Sequence, residues 1–176
     1  MRNLIKFHIY WMILAFFITP IFASAQWSFV NKVDDFTDKK VAFTVFSDDS
    51  HQIQISHQGS SVWMFITRKK LGTFEPNGII ELRVDTNKTM TIDPEKCKLL
   101  SEYIGPTFQW EPKTVSFLLW HGKETEGCGY VGELLEGKEL NIRYQINSME
   151  REAFKISLVG AKEAIINGLG LTICGH

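Results

Sequence analysis

Residues 51–67 read HQIQISHQGSSVWMFIT. The first half alternates: Ile53 and Ile55 fall on one side of an extended chain, Gln52, Gln54 and Ser56 on the other. Successive strand side chains point to opposite faces, so this is a strand with one face buried. The stretch HQGS (57–60) turns through Gly59. SVWMFIT is then almost continuously apolar, the pattern of a strand covered on both faces. Two strands joined by a short turn make a hairpin, and the rest of the chain repeats that theme.

Upstream, VAFTVFS (41–47) sets Val41, Phe43 and Val45 on one side. SDDS (47–50) is a turn, because Asp and Ser side chains bond their own backbone there. Downstream, GIIELRVD (78–85) alternates Ile80, Leu82 and Val84 against Glu81, Arg83 and Asp85. TNK (86–88) turns the chain, TMTID returns, and Pro94 ends that strand for want of an N–H. TVSFLLW (114–120), ELNIRYQI (139–146) and EAFKISL (152–158) are further strands. The last two send Leu140, Ile142, Tyr144 and Ile146, then Phe154, Ile156 and Leu158, to one side.

Two stretches change to the helical period. YVGELLEG (130–137) places Val131, Leu134 and Leu135 on one face with Gly137 as a stop, and AKEAIINGL (161–169) does so with Ala164, Ile165 and Leu169. Residues 94–113 hold Pro94, Pro106 and Pro112 and read as irregular, with room for a short helix in EKCKLLSEY. Residues 26–38 read as a loosely ordered start pegged by Trp27. The pattern predicts a mainly β fold, an antiparallel β-sandwich or open barrel of about eight short strands with two short helices.

The first residues carry Arg2 and Lys6, then the apolar run FHIYWMILAFFIT (7–19), Pro20 and Ala23-Ser24-Ala25. A basic start, a short apolar core and small residues before a cut describe a secretory signal peptide. The run is shorter than the roughly 20 residues a spanning helix needs. We therefore expect 1–25 to be cleaved and 26–176 to form a single β-rich domain, without membrane insertion, in the periplasm or secreted. Cleavage would take the net charge from −1 to about −3. No basic stripe runs along the sequence, which argues against nucleic acid as a partner.

Cys97, Cys128 and Cys174 are an odd number for an oxidising compartment, so one is left over. Connectivity is not fixed by sequence. The expected disulfide is Cys97 with Cys128, leaving Cys174 near the end.

Candidate chemistry is sparse. Arg83, flanked by Glu81 and Asp85 on one strand face, reads as an anion- or partner-binding arginine or as an ordinary charged face. Phe108 and Trp110, between prolines, are candidate anchors on a loop. His51 and His57 are about 20 Å apart along their strand and cannot share a metal. No HxH, CxxC or HExxH occurs, and we expect no metal and no cofactor. His121 and Cys128 are the residues from which a nucleophilic dyad would have to be built.

Taken together, Trp27 with the following DD and TDKK, the strand Arg83-x-Asp85, the segment ELLEGKELNIR (133–143) and the run Phe154, Gly160, Ala164, Cys174 form an ordered set. This set resembles the small exported proteins grouped with type VI secretion accessory proteins of the VasI/TagO kind, and more loosely the invasion-associated locus B proteins. The resemblance covers most of the chain after residue 25. It implies a periplasmic β-sandwich and a role beside a secretion system or at a host interface. The expected function is an exported, non-catalytic binding or accessory protein of the bacterial cell envelope, with a protein or envelope component as partner. The alternative is an envelope enzyme or enzyme inhibitor acting on cell-wall or protein substrates.

Overall fold

The computed structural model describes residues 26–33, 40–58, 61–121 and 129–169. The expected leader 1–25, Cys128 and Cys174 lie outside them. Among the described residues the chain forms ten strands and three helices. They are β1 (Ser28–Val33), β2 (Lys40–Ser47), β3 (His51–Gln58), β4 (Ser61–Arg68), β5 (Ile80–Val84) and β6 (Met90–Ile92). Helix α1 (Pro94–Ile104), β7 (Phe108–Glu111), β8 (Thr114–His121) and α2 (Gly129–Glu136) follow, then β9 (Glu139–Gln145), β10 (Arg151–Ser157) and α3 (Ala161–Leu169).

All strand pairs are antiparallel. One sheet has six strands in the order β1-β2-β3-β4-β8-β7; the other has four, β10-β9-β5-β6. Neither closes on itself, so the architecture is an open two-sheet sandwich. Ile53, Ile55, Met64, Ile66, Val115 and Phe117 of the larger sheet share one core with Ile80, Leu82, Val84, Leu140, Ile142 and Tyr144 of the smaller. Residues opposite each other across a ladder share a face, so the register settles which side chains point inward.

That register turns β2 over relative to its apolar residues. Thr44 stands opposite Ile55 and Phe46 opposite Ile53, so these two face the core. Val41 is 39% exposed and Phe43 and Val45 are half-buried on the other face. Thr44 can point inward because its hydroxyl donates to the Ala164 carbonyl of α3 at 2.7 Å. Helix α3 lies across β1, β2 and β3. Gly168 lies against β2: a Cβ there would collide with the Thr44 hydroxyl.

Two edge strands go beyond the sequence expectation, and the short helix that EKCKLLSEY had room for is present. Residues 28–33 are an edge strand rather than a loose start. The indole of Trp27, just before it, is buried and donates to the Ser157 carbonyl at 2.7 Å. Residues 108–111 are also an edge strand, because Pro106 and Pro112 flank it and a two-residue turn joins Glu111 to Thr114. Helix α1 forms behind an Asp93 cap that accepts from the Glu95 N–H at 3.1 Å, with Pro94 in the first turn. Gly105 ends it at φ 83°. Gly137 ends α2 for a different reason: its Cα passes too close to Val84 for any side chain.

Candidate functional site

The outer face of the four-stranded sheet collects the charges. Strand period two puts Glu81 and Arg83 of β5, Glu139, Asn141 and Arg143 of β9, and Arg151, Ala153 and Lys155 of β10 on that face. Register lines them up in rows across three strands. One row runs Glu81, Arg143, Ala153; the next runs Arg83, Asn141, Lys155. Ala153 is the small member of the first row, and a shallow depression of about 330 Å³ opens there, lined by Glu81, Arg83, Asn141, Arg143, Ala153 and Lys155 among others.

Among the described residues the face carries four cations and two carboxylates. Glu81 pairs with Arg143, and Arg151 lies 3.7 Å from the same oxygen. Glu139 pairs with Lys155 at 3.0 Å. The Arg143 hydrogen bond holds the Glu81 carboxyl below its ordinary range, and Lys155 does the same for Glu139. Arg83 has no carboxylate within ion-pair distance among the described residues. Its expected flanking acids are used elsewhere: Glu81 turns to Arg143, and Asp85 leaves the face altogether.

Asp85 adopts φ 47° at the end of β5. Its carboxylate accepts from the backbone N–H groups of Lys138 and Glu139, at 3.1 and 2.9 Å. A short polar side chain that tolerates the left-handed region suits this turn. Asp85 therefore fastens the β5 turn to the start of β9 and does not flank Arg83.

Phe108 and Trp110 sit on strand β7, not on a loop. Phe108 is half-buried, packs against the core and lines a second depression of about 370 Å³ with Pro76, Pro94, Cys97 and Pro106. Trp110 donates its indole N–H to the Phe74 carbonyl at 3.2 Å and stays 36% exposed. The two are thus apart from Arg83, on a different sheet. Cys97 carries a free thiol, whose pKa burial pushes up; its expected partner Cys128 lies outside the described residues. His121, exposed at the end of β8, hydrogen-bonds the Ser61 hydroxyl through Nδ1 at 2.7 Å. Among the described residues no three His, Cys, Asp or Glu side chains converge, and no helix is long and apolar enough to cross a membrane.

A second polar cluster lies inside, where the two sheets meet. His51 of β3 is 3% exposed and stacks on Phe154 at 3.7 Å. Its Nε2 is 2.9 Å from the Tyr144 hydroxyl and 3.9 Å from Glu152. Arg68 of β4, also buried, reaches Glu152 at 2.7 Å and the Thr73 carbonyl at 3.1 Å. Burial lowers the His51 pKa; Asp48 and Glu152 oppose that, while Arg68 and Lys70 add to it. No sequence motif marks this cluster, because Arg68 and Glu152 are 84 positions apart and His51 and Tyr144 are 93 apart.

No family model, no curated protein and no solved structure matches this chain.

Proposed function

We propose that this chain is an exported, non-catalytic binding or accessory protein of the bacterial cell envelope. It engages an acidic partner through the outer face of its four-stranded sheet. The observation that carries this reading is Arg83. Three neighbouring cations are ion-paired, whereas Arg83 projects from its strand beside a depression with no carboxylate in ion-pair reach among the described residues. An arginine is well suited to a carboxylate, which it grips with two parallel N–H donors. Asn141 lies between Arg83 and Lys155 and its amide already donates to Glu139 and the Arg83 carbonyl, so the donors left for an incoming carboxylate here are those of the Arg83 guanidinium. Export rests on the leader pattern of residues 1–25. The link to a secretion machine rests on the resemblance of the sequence to the accessory proteins named above.

A photo-crosslinking residue placed at Asn141 tests this in cells. The expected product is a discrete adduct with an envelope or secretion-system protein, lost in Arg83→Glu. Equal adduct from both chains would remove the outer face from consideration. Protein recovered only from the cytoplasm would overturn export.

A further inference from the structure

Strand β10 forms one margin of the four-stranded sheet, and its hydrogen bonds show which way its backbone faces. The Ile146 N–H donates to the Glu150 carbonyl at 3.1 Å, and the Leu158 N–H to the Lys138 carbonyl at 2.8 Å. In an antiparallel pair, bonded positions alternate. Glu152, Phe154 and Ile156 therefore turn their main chain toward β9. Arg151, Ala153, Lys155 and Ser157 turn theirs to the open side. The Ser157 carbonyl is taken by the Trp27 indole. The N–H and C=O groups of Arg151, Ala153 and Lys155 have no main-chain partner among the described residues. The same three residues send their side chains to the outer, cation-rich face.

We propose that the partner binds as an added strand: an extended, acidic segment of another protein pairs with β10 along Arg151–Lys155. This rests on the reading of the outer face as an anion-binding surface and says how the partner enters. Two observations select the occupant. First, the free donors and acceptors recur at every second residue, a spacing that only an extended peptide matches. Second, the exposed side chains beside that margin are Arg151 and Lys155, with Arg83 and Arg143 further in, so acidic residues on the incoming strand meet opposite charge. A second copy of this chain is the wrong occupant. Two β10 strands paired about Ala153 would set Arg151 of each copy opposite Lys155 of the other, and like charges directly opposite are destabilising.

The test uses a short synthetic peptide alternating Glu and Thr, its Lys-Thr counterpart, and a Glu-Thr peptide N-methylated at alternate residues. Binding is measured by calorimetry, with amide hydrogen exchange read by NMR. The acidic peptide should bind and the other two should not. Exchange should slow at Arg151, Ala153 and Lys155, while Glu152 and Phe154, already bonded to β9, should change little. Ala153→Pro removes an outward N–H without touching the β9 ladder, and should weaken binding about tenfold or more. If Arg83→Glu abolishes binding while Ala153→Pro and the N-methylated peptide bind normally, the anion-binding face stands and strand addition is wrong. If the acidic peptide does not bind at all, both fall. Should Ala153→Pro misfold, the N-methylated peptide and the exchange pattern decide alone.

Discussion

Two arginine–glutamate pairs flank the four-stranded sheet: Arg68 of the larger sheet reaches Glu152 on its inner side, and Arg143 pairs with Glu81 on its outer side. Inside, Arg68 and Glu152 have side chains 7% and 30% exposed; outside, Arg143 and Glu81 are 52% and 22% exposed. Arg151 and Glu152 are sequence neighbours, yet one joins the outer set and the other the inner. The chemistry is the same and the two carboxylates are comparably exposed, so the difference lies in the guanidiniums, one buried and one in water. In the interior an ion must keep its partner, since water cannot replace it. At the surface the partner is dispensable, so charge there is free to serve recognition. Position, not residue type, separates the group that holds the sheets together from the group that can meet a ligand.

Breaking the inner pair should have the largest effect. Glu152→Ala leaves the Arg68 guanidinium buried and unpaired, and should cost about 3 kcal/mol, the low end for a buried pair because Glu152 keeps some contact with water. Urea unfolding followed by circular dichroism would show it, and a loss below about 1 kcal/mol would mean that Arg68 finds another partner.

Acid should strain the same cluster next. Burial lowers the His51 pKa below its ordinary 6.5, so the folded state resists a proton that the unfolded chain accepts. His51's contribution is constant above pH 6.5, and stability falls as pH drops below that value toward the folded pKa. Unfolding midpoints measured between pH 8 and pH 5 should decline, and His51→Gln should flatten the decline. A parallel decline in that variant would assign the effect to other groups.

The outer pair should matter least to stability. Arg143→Ala should change it by about 0–1 kcal/mol, as for other exposed ion pairs. A cost near that of Glu152→Ala would erase the distinction between the faces.

Within one strand, alternation was enough to identify the inner faces of β5, β9 and β10, and the helical period marked the buried faces of α2 and α3. Two edge strands were not legible. Along β1, Phe29 and Val33 are 50% and 49% exposed, so no buried stripe advertised a strand. Along β7, the flanking prolines signalled a break that the strand in fact ends against. β2 misleads in another way: its apolar triad Val41, Phe43 and Val45 faces away from the core, and the inward Thr44 is accommodated by a carbonyl 120 positions later. Of the candidate site, Arg83 was visible on its own strand. Its setting was not, because the row Arg83, Asn141, Lys155 exists only once three strands are in register, and that register is set by packing.

Segments far apart along the chain fasten β1 and β2. Trp27 is tied to Ser157 and Thr44 to Ala164, across 130 and 120 positions. Strands β1 and β2 therefore wait for Ser157 and α3, more than a hundred positions later, before these contacts close. Such long-range closure slows folding, because distant segments must meet before either gains. For the export proposed above, such late closure would favour threading an open chain through a narrow channel, with β1 and β2 locked only after α3 has followed them.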